Sequence, residues 1–207
     1  MMSHARSDLN DRYSAAAPKW SDKMRMLGYY DGYLGFLSDR QRSDASGAEV
    51  IDIGTGTGAM AEAWVAIHGA PGRMVLLDPS PAMLTVAQTA LLRRDVIAET
   101  RETGLESTEG DGFDVLLAAH VIEHFDAPLE ALRAMRRLAR PGARLWLAVS
   151  KPHWCNVIIW LQWRHRTFQP SEVGKLLTAA GFEVEAHYAF PSGPPSRTSF
   201  GVLARAV

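Results

Sequence analysis

Three groups of residues carry chemistry by their type and spacing. The first is Val50-Ile51-Asp52-Ile53-Gly54-Thr55-Gly56-Thr57-Gly58, a short apolar run that ends in glycines at alternate positions. Glycine is required where the backbone takes positive φ and where a ligand must approach the main chain without meeting a Cβ. A helix starting behind such a loop offers unpaired N–H groups to a polar ligand. A glycine turn can be a mere tight connection, but three alternating glycines exceed what a turn needs. Gly54-x-Gly56-x-x-Ala59 also satisfies the relaxed dinucleotide fingerprint.

The second group is Asp78, which follows the apolar run Arg73–Leu77 and opens Asp78-Pro79-Ser80-Pro81. A carboxylate at the C-terminal end of a second parallel strand can accept both hydroxyls of a ribose. It can also do no more than start the turn.

The third group is His120-Val121-Ile122-Glu123-His124. Its spacing matches the H-x-x-E-H pattern of some zinc proteases. That pattern needs a helix with both histidines on one face and a further ligand. Here it follows a buried strand and runs at once into Asp126-Ala127-Pro128, a helix start. His120 or His124 could instead serve as a general base near neutral pH, or the three residues could hold the loop.

The elements that must position these groups follow from periodicity. Tyr29, Tyr30, Tyr33, Leu34 and Leu37 fall at helical spacing, and the polar stretch Ser38–Gly47 links that helix onward. Strands are expected at Val50–Ile53, Arg73–Leu77, Asp95–Glu99, Phe113–Ala119 and Ala143–Val149, the nearly continuous apolar runs of a sheet buried on both faces. Helices are expected at Thr57–Ile67, after Ser80 as N-cap with Pro81 at the first position, through Leu129, Leu132, Met135 and Ala139 to a stop at Pro141-Gly142, and at Pro170–Ala180 before Gly181. Two last strands, Phe182–Tyr188 and Phe200–Ala206, are joined by the loop Pro191–Ser196 with no helix between them. The alternation implies an α/β fold, a Rossmann-like doubly wound seven-stranded sheet with an antiparallel C-terminal hairpin and N-terminal helices. Residues 1–47 read as a helical cap region and 48–207 as the main domain.

In this order the motifs resemble the class I S-adenosylmethionine-dependent methyltransferases over about residues 48–150. The resemblance rests on Asp52 before the glycines, Leu77-Asp78-Pro79-Ser80-Pro81-Ala82-Met83-Leu84, Phe113-Asp114-Val115, Val121-Ile122-Glu123-His124-Phe125-Asp126-Ala127-Pro128 and Leu138-Ala139-Arg140-Pro141-Gly142. It is nearest the small-molecule type, like the ubiquinone-biosynthesis methyltransferases. The resemblance implies S-adenosylmethionine as cofactor and S-adenosylhomocysteine as product. It places cofactor contacts at Asp52, Gly54, Thr55, Gly56, Gly58, Asp78, Pro79, Met83, Glu102 and His120. Asp52 would orient the loop, Asp78 would hold the ribose hydroxyls and Met83 would lie near adenine. Glu102 comes from counting back from Phe113-Asp114, although Arg101-Glu102-Thr103 stands where the family has Gly-Asp-Ala. Catalytic roles fall to His120 and His124. Relatives with a divalent metal carry Glu-x-x-Glu-His, and His120 replaces the first glutamate, which suits Mg²⁺ poorly; no metal is expected.

The methyl acceptor is expected to be a small, apolar or aromatic metabolite taking the group on O, N, S or C. Ala118-Ala119-His120-Val121 stands where methyltransferases of nucleobase amino groups carry Asn/Asp-Pro-Pro-aromatic. An NAD(P)-dependent oxidoreductase and a non-catalytic S-adenosylmethionine-binding protein are the alternatives. Trp154, Trp160 and Trp163, with Val157, Ile158, Ile159 and Leu161 between them and Arg164-His165-Arg166 after, form a very apolar segment. It could cap the acceptor together with Tyr29, Tyr30 and Tyr33, pack in the core or in a homodimer contact, or touch a membrane surface.

Composition narrows the partners. Lys and Arg number 22 against 23 Asp and Glu, a net charge of -1, so there is no basic excess for phosphates and no nucleic-acid partner is expected. Cys155 is the single cysteine, which excludes an internal disulfide and a CxxC site and fits a cytoplasmic setting. No apolar stretch reaches about eighteen residues, so no membrane span is expected, and residues 1–11 lack the apolar core of a secretory signal.

Overall fold

A computed structural model describes residues 21–38, 45–110, 112–153 and 166–207. The described strands are β1 (Glu49–Ile53), β2 (Arg73–Leu77), β3 (Glu99–Arg101), β4 (Phe113–Ala119), β5 (Ala139–Ser150), β6 (Phe182–Tyr188) and β7 (Ser199–Ala206). They form one sheet in the order β3-β2-β1-β4-β5-β7-β6. The first five pair in parallel, while β7 runs antiparallel to both β5 and β6. Strand order reverses between β1 and its neighbour β4, which opens a crevice at their C-terminal ends. All three chemical groups lie at that edge.

Alternation along β1 sorts the core into two layers. Ile51 and Ile53 face one side, with α4 (Pro128–Leu138) and α5 (Pro170–Ala179) supplying Leu132, Met135, Val173 and Leu177. Val50 faces the other, with Leu37 of α1 (Tyr29–Ser38), Trp64 of α2 (Ala59–His68) and Leu91 of α3 (Pro81–Leu92). Both faces are covered, as the uninterrupted apolar strands require. Asp52 shares the parity of Val50 and is therefore buried, at 1% exposure, toward the α2 side.

Several helix ends follow the expected chemistry. Ser80 Oγ accepts the Met83 N–H at 3.3 Å with Pro81 at the first helical position. Gly181 takes φ 90° after α5. In α1 the buried side chains are Tyr29, Tyr30, Tyr33, Phe36 and Leu37, while Leu34 is only partly covered.

Four expectations need correction. The third strand is Glu99–Arg101 rather than Asp95–Glu99. Asp95 stands at φ 59° and the Val96 N–H returns to Leu91 O at 3.1 Å, so this stretch finishes α3 before any strand starts. Helix α4 ends at Leu138, and Ala139 already pairs with Phe113 in β5. Pro141-Gly142 therefore lies inside β5, where the register shifts between Phe113 and Val115 and Gly142 takes φ 81°. Proline has no ladder N–H, so the strand bulges there instead of the helix stopping. The expected Thr57–Ile67 helix starts at Ala59, because Gly58 at φ 80° is its N-cap. The loop Pro191–Ser196 holds part of a short helix, α6 (Gly193–Thr198), so a helical turn does separate β6 from β7.

Candidate functional site

The three glycines of the loop are required for three different reasons. All take positive φ: 61° at Gly54, 51° at Gly56 and 80° at Gly58. A Cβ on Gly54 would lie 2.8 Å from Val121 Cγ2, and one on Gly58 would lie 2.8 Å from Ala87 Cβ and 2.9 Å from its Cα. Gly54 thus lets the loop approach the segment after β4, and Gly58 lets α2 approach α3. A Cβ on Gly56 would meet nothing within 4 Å. Gly56 is the point at which the loop backbone faces open space.

Thr55 anchors the loop by both its backbone and its side chain. Its N–H donates to Leu77 O at 3.0 Å and its hydroxyl to Asp52 Oδ2 at 2.6 Å. Asp52 also takes the backbone N–H of Ala61, yet burial prevails and pushes its carboxyl up to about 7. Both side chains turn inward, so they shape the loop and leave its backbone to a ligand.

Asp78 closes the loop from β2. Its Oδ2 accepts the Gly56 N–H at 2.9 Å and its Oδ1 the Ser80 N–H at 2.9 Å. Burial raises its pKa and these two hydrogen bonds oppose the rise. Each carboxylate oxygen has a second lone pair, so the group can still accept two hydroxyls. Pro79 is exposed beside it and Met83 is buried below, at the start of α3. Glu102 is exposed one residue past β3, whose last residue Arg101 accepts the Asp78 N–H at 3.2 Å.

On the far side of the crevice, His120 follows β4 at φ 58°, with its N–H held by Ala148 O at 2.9 Å. Its Nδ1 stands 3.2 Å from Glu123 Oε1 and 3.0 Å from Ser150 Oγ. Glu123 is buried and its Oε1 accepts the Ser150 N–H at 2.7 Å. His124 closes a single 3-10 turn, Ile122–His124, and burial holds its imidazole below the usual range. The segment is a turn after a strand, not the helix a zinc protease needs. Among the described residues no three His, Cys, Asp or Glu are grouped to hold a metal ion.

Helix α1 roofs this end of the crevice. The Tyr29 ring meets His120 edge-on at 5.6 Å, and its hydroxyl shares a 2.9 Å hydrogen bond with Thr198 Oγ1. Tyr33 lies 6.3 Å from Tyr29 and 6.4 Å from Phe190, between ring centroids. Burial drives the Tyr33 hydroxyl well above its ordinary pKa, and Tyr29, Asp52 and Glu123 add to the rise. Tyr30 does not join this group. It accepts Arg94 Nη2 at 2.6 Å, beneath Arg25 and beside the Arg25–Glu62–Arg94 ion pairs. Trp154, Trp160 and Trp163 lie outside the described residues. Ser150, Phe190 and Thr198 belong to none of the sequence motifs, and the fold brings them to the site. Ser150 ends a parallel strand beside β4, and that position is the signal that could have marked it.

Comparison with known proteins places the chain in a family. The family described as "Methyltransferase domain" matches residues 21–187. A ubiquinone biosynthesis O-methyltransferase of Xanthomonas oryzae pv. oryzae is 28% identical over 145 residues, covering 67% of this chain and 59% of that protein. A ubiquinone/menaquinone biosynthesis C-methyltransferase of Idiomarina loihiensis is 35% identical over 111 residues, 51% of this chain and 44% of its own. The chain thus spans about three-fifths or less of these two relatives.

Among solved structures, a Haloferax volcanii methyltransferase in complex with the Trm112 activator superposes with TM-score 0.74 at 18% identity, over 94% of this chain and 97% of that one. A Burkholderia thailandensis 1,6-didemethyltoxoflavin-N1-methyltransferase, with its substrate and S-adenosylhomocysteine bound, gives 0.73 at 18% identity over 99% and 90%. The [4+2]-cyclase SpnF gives 0.67 at 16% identity over 84% and 79%. Likenesses of this order establish the fold, and the cyclase shows that the fold alone does not name a reaction. No described helix is long and apolar enough to cross a membrane.

Proposed function

The chain belongs to the methyltransferase-domain family, of the class I S-adenosylmethionine-dependent kind, and on that footing we propose that it moves the methyl group of S-adenosylmethionine to a small apolar or aromatic molecule. The observation that carries this reading is the Gly56–Asp78 pair. A backbone that faces open space lies directly against a carboxylate with lone pairs to spare. The pair would suit S-adenosylmethionine, with Gly54 and Gly56 beneath its methionine and ribose part, Asp78 on the ribose hydroxyls and Met83 toward the base. When bound, the cofactor supplies a methyl group on a sulfonium, already a good leaving group. The protein's share is alignment, exclusion of water and handling of one proton.

His120 is the residue assigned to that proton. It sits at the C-terminal edge of β4, with a fifth of its side chain exposed, its Nε2 buried and Tyr29 against its ring. Tyr29, Tyr33 and Phe190 would then form the aromatic wall against which the acceptor lies. Burial lowers the imidazole pKa of His124 and so weakens it as a base, and we place it in the wall of the site.

The test is incubation with methyl-labelled S-adenosylmethionine and a panel of hydroxylated, amino and thiol aromatics. Label appearing in a small extractable product supports the reading. Intact cofactor binding with no transfer across the panel would instead favour a non-catalytic binder.

A further inference from the structure

Glu123 is among the most buried charged groups of the described residues, with its side chain at 0% exposure. Its Oε1 accepts the Ser150 N–H at 2.7 Å, which fixes the carboxylate across the ends of β4 and β5. The same oxygen stands 3.2 Å from His120 Nδ1. Ser150 Oγ is 3.0 Å from that nitrogen as well. An ionised carboxylate is an acceptor only, whereas a hydroxyl can donate or accept. If Nδ1 carried the lone pair, it would face the Glu123 oxygen lone pair to lone pair.

We propose that Glu123 is a positioning residue that holds His120 as the Nδ1–H tautomer and so leaves the basic lone pair on Nε2. The Nδ1 proton is shared between the carboxylate at 3.2 Å and Ser150 Oγ at 3.0 Å, and the carboxylate is the partner that can only accept. The ring is thereby fixed in orientation by β5 and in protonation pattern by Glu123. His124 on the same turn and Tyr29 from α1 also lie beside the ring. His120 Nε2 is buried in this structure, so an acceptor would have to displace its neighbours to reach it. With S-adenosylmethionine and acceptor bound, Nε2 would take the acceptor's proton as its O, N or S gains the methyl group and S-adenosylhomocysteine leaves. The imidazolium formed is then held by the Glu123 charge. An orienting partner of this kind matters because the wrong tautomer presents a donor where the reaction needs an acceptor.

This assignment rests on the base role given to His120, but its test does not require turnover. Imidazole 15N–1H spectra of the full chain, with the His120 signal identified through His120→Gln, report the tautomer directly. We expect Nδ1–H in the wild-type protein, retained in Ser150→Ala and lost to a mixture or to Nε2–H in Glu123→Gln. An Nε2–H signal in the wild type would overturn the proposal, and so would a Glu123→Gln spectrum matching wild type. Should Glu123→Gln fail to fold, the wild-type and Ser150→Ala spectra decide, since loss of Nδ1–H in Ser150→Ala would make the hydroxyl the selector. In turnover, Glu123→Gln should lower kcat by roughly 10²-fold, the low end for a general base, with KM for S-adenosylmethionine unchanged; a rise in KM with kcat intact would mark a structural role. A wild-type protein that binds no S-adenosylmethionine would sink the methyltransferase reading while leaving the tautomer result standing.

Discussion

The carboxylate of Asp78 accepts the backbone N–H of Gly56 at 2.9 Å, which joins the end of β2 to the tip of the loop after β1. This one contact shapes the loop and presents a ribose-sized acceptor beside it. Asp78→Ala should therefore weaken S-adenosylhomocysteine binding by about 1–3 kcal/mol, the range for losing hydrogen bonds to a charged group. Calorimetric titration reads this, and an unchanged affinity would remove Asp78 from the site.

Gly56 and Gly58 should separate binding from folding. Gly58→Ala meets both positive φ and the α3 backbone at 2.9 Å, so it should lower the melting temperature by several degrees, with a cost of at least about 1 kcal/mol. Gly56→Ala meets only the φ penalty, because its Cβ enters open space. It should leave folding nearly intact and reduce cofactor affinity by on the order of tenfold. Equal losses of binding in both variants, each in step with stability, would refute the distinction.

Asp52 sets a pH dependence of stability. Burial raises its folded pKa from 3.8 to about 7. Between those values the folded state binds more protons than the unfolded, so stability falls as pH rises through that window and levels above it. Asp52→Asn keeps an acceptor for the Thr55 hydroxyl and removes the titration. Its stability relative to wild type should improve between pH 5 and pH 8, by roughly 2–3 kcal/mol. Urea unfolding at the two pH values checks this, and parallel pH trends in the two proteins would contradict it.

Tyr29 fastens α1 to α6 through Thr198 at 2.9 Å. Tyr29→Phe keeps the ring against His120 and loses that hydrogen bond, so it should cost about 1 kcal/mol of stability. Acceptor turnover should fall less than in Tyr29→Ala, which loses the ring too. A Tyr29→Ala enzyme with unaltered acceptor KM would remove α1 from the acceptor wall.

The alternation of strands and helices and the glycine loop were legible because they rest on local rules. Buried parallel strands read as apolar runs, and Ser80-Pro81 carries its own capping chemistry. What escaped was set by tertiary context. Pro141-Gly142 has a helix-stop composition, yet β4 captures Ala139 as a strand partner first. Tyr29, Tyr30 and Tyr33 share a helix stripe, but only contact with Arg94 reveals that Tyr30 turns away. Ser150 is a plain serine in sequence. It becomes part of the site because β4 and β5 end side by side, which places its N–H on Glu123.

The most direct test of the account is a calorimetric titration of the wild-type chain with S-adenosylhomocysteine and, separately, with NADH. The account predicts saturable binding of S-adenosylhomocysteine that is lost or weakened in Asp78→Ala, and no heat from NADH. Tight NADH binding with no response to S-adenosylhomocysteine would contradict it.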